Sequence, residues 1–276
     1  MKSSSESKPF SALVLAADRH DGDAVATAAG VDCKALATVD GIPMVRRVTS
    51  TLRSSPLVER ITLIGPTRAL LRQEPQVEAW LQAGEINWLS HANSPSASAA
   101  LGLEAEDPTQ PVLLTTADHA LLTPDIVDYF LTEARRSGCD FVVGVARLET
   151  VKARFPGNRR TAIKLKDGPF CGCNLFAFMT ERGHQLAPFW RRIEQERKRP
   201  WRVITGALGW TAVLRYLAGT LTLEQALERL SRKLNMRIGA VVLPFAEAAV
   251  DVDTPADRQL VETILAERVG REAAQY

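Results

Sequence analysis

Ala12-Leu13-Val14-Leu15-Ala16-Ala17-Asp18-Arg19-His20-Asp21-Gly22-Asp23 is the stretch on which the fold turns. Six apolar or small residues read as a buried strand. They stop abruptly at a charged, glycine-bearing loop. The loop runs on to Lys34-Ala35-Leu36 and then to Gly41-Ile42-Pro43-Met44. A buried strand that ends in a polar loop and hands over to a helix opening with proline is a common way to build a nucleotide site.

Working outward, strand-like and helical runs alternate. Pro43–Ser54 carries Met44, Val45, Val48 and Leu52 on one stripe, with proline at its first turn. Residues 60–65 form a second strand, 85–89 a weaker third, and 96–103 a short helix. Residues 111–116 form a buried strand, followed by a helix from Thr123-Pro124 through Arg136 and a strand over 140–145. This alternation predicts a parallel α/β sheet covered on both faces. Residues 162–165 and 173–178 then read as strands close together in sequence, separated by Asp167-Gly168-Pro169. They predict an antiparallel excursion or a small subdomain. Residues 180–236 read as a helical, Arg- and Trp-rich insertion within a single domain spanning 1–276. A last strand over 238–243 leads to Asp251-Val252-Asp253-Thr254-Pro255 and a helix over 256–268.

The bulk numbers fit an ordinary globular chain, with 46% hydrophobic and 24% charged residues. A formal net charge of +2 does not argue for a nucleic-acid partner. No apolar run approaches the ~20 residues that span a bilayer, so no stable membrane insertion is expected. The polar N-terminus lacks the apolar core of a signal peptide, which makes the cytoplasm the expected location. Cys33, Cys139, Cys171 and Cys173 form no CxxC pair and are expected as mostly buried thiols. Nothing in the sequence fixes an oligomeric state.

Chemistry gathers at three places. Asp118 follows the strand ending at Thr116, where open α/β sheets bind their ligands. A carboxylate there suits a divalent cation that bridges phosphates; it equally suits a polar turn before a helix. Asp251 and Asp253 form a second carboxylate site. Strand alternation would put them on one side, and capping of the helix at Pro255 is the competing role. Arg19 and Lys34 flank the first loop, where cations would face phosphates; otherwise they are solvated surface charges.

Leu15-Ala16-Ala17, Lys34-Ala35-Leu36, Gly41-Ile42-Pro43-Met44, Ala117-Asp118-His119-Ala120-Leu121-Leu122 and Asp251-Val252-Asp253-Thr254-Pro255-Ala256-Asp257 occur in the order found in nucleotidyltransferases. The chain resembles the branch that contains molybdenum cofactor guanylyltransferase and the sugar- and alcohol-phosphate nucleotidylyltransferases. The resemblance implies a three-layer α/β/α sandwich of the A-type glycosyltransferase, nucleotide-diphospho-sugar-transferase-like kind. It implies transfer of a nucleoside monophosphate from a nucleoside triphosphate to a phosphorylated small-molecule acceptor, with release of pyrophosphate and with Mg2+ as cofactor. Under it, Leu15, Ala16, Ala17, Asp18, Arg19 and Lys34 hold the triphosphate, with Lys34 and Arg19 stabilising the reacting charge. Asp118 and Asp253 bind the metal, with Asp251 in reserve. Asn93, Ser96 and Ser98 approach the nucleoside, or simply begin a helix. Gly172 and Asn174 approach the acceptor, or satisfy buried backbone.

The chain departs from the family pattern at Asp18, where a glycine is usual. Asp18 brings a Cβ and a negative charge that would repel phosphate unless it turns away or joins the metal. This departure keeps open a catalytically silent nucleotide-binding or sensing protein, and the implied fold keeps open a nucleotide-sugar glycosyltransferase. Residues 189–202 hold six Arg or Lys and two Trp. They suit an anionic acceptor pocket, a membrane-surface or nucleic-acid patch, or an amphipathic helix with a solvated basic face, and Arg159-Arg160 is expected to add to the same positive region.

Overall fold

A computed structural model describes residues 8–18, 22–157, 160–186 and 210–273. Strand β1 (Phe10–Leu15) has parallel partners on both sides, β4 (Val58–Ile64) and β6 (Val112–Thr116). A strand buried on both faces needs apolar side chains at successive positions, and Ala12, Leu13 and Val14 are each fully buried. The two faces serve different layers. Ala12 and Val14 belong to a large core with Met44, Val48, Phe130 and Ile264, whereas Leu13 joins a smaller core with Ala99, Leu103 and Phe178.

The remaining elements follow in order. The first crossover holds helix α1 (Ala24–Ala29), a 3-10 turn at Lys34–Leu36, the small hairpin β2 (Thr38–Val39) and β3 (Ile42–Pro43), and α2 (Met44–Ser54). After β4 come α3 (Arg68–Leu71), α4 (Pro75–Gln82), β5 (Asn87–Leu89) and α5 (Pro95–Ala105). After β6 come α6 (Pro124–Ser137), β7 (Phe141–Arg147), α7 (Leu148–Arg154), β8 (Ile163–Leu165), β9 (Gly168–Phe178) and α8 (Glu181–His184). The chain continues with α9 (Trp210–Leu217), α10 (Leu223–Leu234), β10 (Ile238–Leu243), a 3-10 turn at Ala246–Ala249 and α11 (Pro255–Ala273).

Among the described residues the sheet has eight strands in the order β10-β7-β9-β6-β1-β4-β5, with β8 pairing β9. The expected mostly parallel α/β/α sandwich is borne out. The antiparallel excursion is not a subdomain: β9 sits inside the main sheet, antiparallel to β6 on one side and β7 on the other. Helices α2, α6 and α11 cover one face, α5 and α10 the other. In α6, Ile126, Val127, Phe130, Leu131 and Ala134 are buried at helical spacing. Fully burying each large apolar side chain contributes about 1.5–3 kcal/mol. Glycine at 102 lets α5 lie against β1 and β4, because a Cβ there would come 2.5 Å from Ile64 Cδ1 and 2.9 Å from Leu13 Cδ1.

Residues 187–209, which include the basic 189–202 stretch and the middle of the expected 180–236 insertion, lie outside the described residues. In α10, Leu227, Leu230 and Leu234 pack on the sheet's smaller core. Among the described residues no helix is long and apolar enough to cross a membrane. All four cysteines are free thiols; Cys33, Cys171 and Cys173 are buried and Cys139 is partly so.

Candidate active site

β1 and β6 run parallel and end side by side, pairing Leu15 with Thr116. A cavity of about 400 Å3 opens beyond these ends. Leu15, Ala16, Ala17 and Asp18 line it from the first strand, and Lys34 from the 3-10 turn. Asn93, Ser94 and Ser98 come from the start of α5, and Asp118 and Asp253 from the loops after β6 and β10. The sheet thus brings residues from across the chain to one mouth, as expected of an open α/β fold.

Lys34 stands at the centre. Its Nζ donates to Asp118 Oδ2 at 2.6 Å and to Asp253 Oδ1 at 3.2 Å. The two carboxylate oxygens are therefore no farther apart than the sum of those distances. Burial works against the charge on Lys34, but Asp118 and then Asp253 outweigh it and hold the ammonium pKa above its ordinary value. Burial likewise pushes the Asp118 carboxyl up. The Lys34 charge and hydrogen bond, with a bond from the Thr116 hydroxyl, overcome this and hold it below the usual range.

Asp18 lines the cavity but spends its charge on the protein. Both carboxylate oxygens accept the Lys34 backbone N–H, each at 3.0 Å, and the Cys33 thiol approaches Oδ1 at 3.5 Å. Of the two outcomes open for this residue, turning toward the protein is the one observed. Burial raises its pKa, against the Lys34 N–H. Burial and the neighbouring Asp18 push the Cys33 thiol up to about 12, so it is no nucleophile at neutral pH.

Asp251 and Asp253 differ from expectation in two ways. Residues 251–253 lie in a loop rather than a strand, and the two carboxylates take different partners. Asp253 reaches Lys34, whereas Asp251 pairs with Arg160 and accepts from Asn174 Nδ2 at 3.0 Å. Neither caps the following helix. Thr254 does so with Asp257: the Asp257 N–H donates to the Thr254 hydroxyl at 3.1 Å, and the Thr254 N–H to Asp257 Oδ2 at 2.9 Å. Burial, then repulsion from Asp253 and Asp118, raises the Asp251 pKa despite Arg160. Among the described residues no group of three or more His, Cys, Asp or Glu side chains gathers as a metal cluster.

The α5 entry combines cap and wall. The Ser94 hydroxyl accepts the Ala97 N–H at 3.2 Å, and the Ser98 hydroxyl accepts the Ala92 N–H at 2.9 Å. Asn93 is exposed at the cavity. Ser96 is buried behind the wall, its hydroxyl 3.3 Å from that of Ser94. Asn174 and Gly172 lie on β9; Asn174 holds a positive φ of 48° while bonding Asp251, and Gly172 is exposed. Arg19 lies outside the described residues. Arg160, expected with Arg159 to add to the positive region of residues 189–202, instead pairs with Asp251 and Asp257, and no sequence signal joined it to either.

A family model described as the MobA-like NTP transferase domain matches residues 12–155, just over half of the chain. The chain belongs to the MobA-like NTP transferase family. It is accordingly a nucleotidyltransferase. Among solved structures, a hypothetical transferase from Thermus thermophilus is similar, with 29% identity and a TM-score of 0.75 over 91% of this chain and 99% of that one. Two more distant structures share the fold. One is a 4-diphosphocytidyl-2C-methyl-D-erythritol synthase from Anaerococcus prevotii, with 13% identity and a TM-score of 0.57 over 94% of this chain and 97% of that one. The other is a CMP:2-keto-3-deoxy-manno-octonic acid synthetase complexed with CTP, with 15% identity and a TM-score of 0.56 over 94% and 99%. A comparison with curated proteins finds no match. The matched 12–155 segment carries most of β1, Lys34 and Asp118 of this NTP transferase; Asp253 joins them from beyond it.

Proposed function

We propose that the cavity binds a nucleoside triphosphate and that the protein transfers its nucleoside monophosphate unit to the phosphate of a small phosphorylated acceptor, releasing pyrophosphate. The observation that carries this reading is the one ammonium shared by Asp118 and Asp253 where β1 and β6 end. Lys34, held charged by both carboxylates, neutralises negative charge that builds on phosphate oxygens. Arg19, in the same loop, is assigned to the same task. Backbone from Leu15 to Asp18 follows the triphosphate, and the Asn93–Ser98 entry of α5 meets the nucleoside. Ser96 acts there through Ser94.

The donor set fits one divalent cation. Asp118 and Asp253 are two carboxylates within reach of a common point, and magnesium takes one or two protein carboxylates with water and phosphate oxygens. When bound there, such an ion supplies Lewis-acid charge neutralisation. Asp251, occupied by Arg160 and Asn174, belongs to the acceptor side with Gly172 and Asn174. An acceptor phosphate oxygen bonds to the α-phosphorus as the bond from that phosphorus to the β-phosphate oxygen breaks. The electron pair leaves with pyrophosphate. The acceptor phosphate is already ionised at neutral pH, so no general base is required, and positioning and charge supply the rate. The packing of α10 on the central sheet supports treating the 180–236 region as part of one domain.

The test follows pyrophosphate release from each of the four nucleoside triphosphates with magnesium and a panel of phosphorylated acceptors. Release with one pair, abolished by Asp118→Ala, is the expected result. Release that survives the substitution sinks the assignment. Tight triphosphate binding without turnover on any acceptor favours a sensing role instead.

A further inference from the structure

We propose that Arg160 is a positioning residue that aims Asp253 into the nucleotide cavity without touching it. The proposal rests on Asp253 being part of that site. Asp253 has an exposed side chain on a loop, and Lys34 is its one hydrogen-bond partner among the described residues. Its direction therefore depends on what fixes the backbone on either side.

Arg160 fixes both flanks. Its side chain is only 10% exposed. Nη1 pairs with the Asp251 carboxylate. Nη2 donates to the Asp251 carbonyl at 2.9 Å and to Asp257 Oδ1 at 3.1 Å. The other Asp257 oxygen holds the Thr254 N–H and hydroxyl at 2.9 and 2.7 Å. One guanidinium thus ties the residue two before Asp253 directly, and the residue after it through Asp257. Two further bonds complete the frame. Asn174 Nδ2 holds the second Asp251 oxygen, and the Val252 N–H donates to the Asp118 carbonyl at 3.0 Å. That last bond joins the two acidic loops by their backbones. The planar fork of arginine serves a carboxylate, a carbonyl and a second carboxylate together, which a lysine ammonium does not reproduce.

The test uses hydrogen–deuterium exchange of the peptide spanning 250–257 in the substrate-free protein, with the Val252 amide as reporter. Arg160→Met alone leaves two partly buried carboxylates, Asp251 and Asp257, without their cation and risks misfolding. The main variant is therefore Arg160→Met with Asp251→Asn, and Arg160→Lys is the second. Exchange at Val252 is expected to rise about tenfold or more in the double variant and less in Arg160→Lys, with remote sheet amides unchanged. In turnover, the magnesium concentration for half-maximal rate is expected to rise and kcat to fall about tenfold or more, since a small misplacement of a charged group is costly. Unchanged Val252 protection in Arg160→Lys and in any folded double variant overturns the proposal. So does looser exchange with an unchanged magnesium requirement. The exchange arm needs no substrate, so it decides the positioning role even if the wild-type protein releases no pyrophosphate. That outcome would fall on the proposed function alone.

Discussion

Asp18 accepts the backbone N–H of Lys34 through both carboxylate oxygens, each at 3.0 Å, across the loop that joins β1 to Lys34. This contact reconciles an acidic residue with the proposed phosphate-binding role of the loop. The carboxylate caps the 3-10 turn that carries Lys34, a turn whose own preceding residue, Cys33, makes no side-chain cap bond. The negative charge at the loop is spent on a backbone donor.

Asp18→Ala is expected to cost about 1 kcal/mol of stability, the net size of a typical hydrogen bond, because burial of the Asp18 charge offsets part of the gain from its charge. It should also weaken triphosphate binding by loosening Lys34. Asp18→Asn keeps an acceptor oxygen and should lose less of both. Urea unfolding and calorimetric titration with nucleoside triphosphates check this. Tighter triphosphate binding in Asp18→Ala would show that the carboxylate acts as a repulsive element.

Lys34→Met removes the cation between Asp118 and Asp253 and is expected to lower turnover about 10²–10³-fold, the usual cost of losing a preorganised charge. Lys34→Arg should not restore it, because a guanidinium fork does not fit between carboxylates that meet one nitrogen at 2.6 and 3.2 Å. Pyrophosphate release under saturating substrate is the measurement. Turnover within tenfold of wild type in Lys34→Met would remove the lysine from the mechanism.

What was legible in the sequence follows from how local each signal is. β1, β6, α2 and α6 were readable because burial imposes continuous apolar runs on inner strands and a 3.6-residue stripe on covering helices. Helix α1, Ala-Val-Ala-Thr-Ala-Ala, was missed because small residues carry no stripe. The Asp23 cap and the Gly30 terminator were its only signals. Capping by Asp251 or Asp253 stood as the role competing with metal binding, although Thr254 and Asp257 stand at capping-box spacing. Lys34 and Asp118 came from motif order. Arg160 could not, since it meets Asp251 only through a fold that brings together residues 91 apart in sequence.

His119 should make stability fall on mild acidification. It is fully buried, and burial, outweighing the Asp118 charge and the backbone of Glu247 and Ala248, depresses its pKa from 6.5 to about 4. Between those values the unfolded chain binds the proton and the folded protein does not. Its contribution is therefore complete above the unfolded pKa and is lost as pH falls toward the folded one. The cost is on the order of 3 kcal/mol by pH 4. His119→Gln should flatten the profile between pH 6.5 and 4 in divalent-free buffer. Parallel denaturant midpoints for both proteins across that window would contradict it.

Gly65 sits where Ala17 and His91 come together beside the cavity. It follows β4 with φ of +71°, and its N–H donates to Leu89 O at 2.9 Å. A Cβ at this position would lie 2.7 Å from Ala17 Cβ and 3.2 Å from His91 Cβ. Ala17 lines the cavity from the β1 side, and His91 immediately precedes the Ala92–Pro95 stretch that lines the opposite side. Gly65→Ala therefore combines left-handed backbone strain with a steric wedge between the two walls. The expected cost is about 1–3 kcal/mol. Gly30→Ala provides the control: its φ of +67° imposes similar backbone strain, but a Cβ there meets nothing within 4 Å. Both variants should lose stability through strain, whereas only Gly65→Ala should also lose triphosphate affinity, by about tenfold for a displacement of the walls. Equal triphosphate affinity in the two variants, measured by calorimetry at a temperature where both are folded, would show that the Ala17–His91 approach does not shape the site.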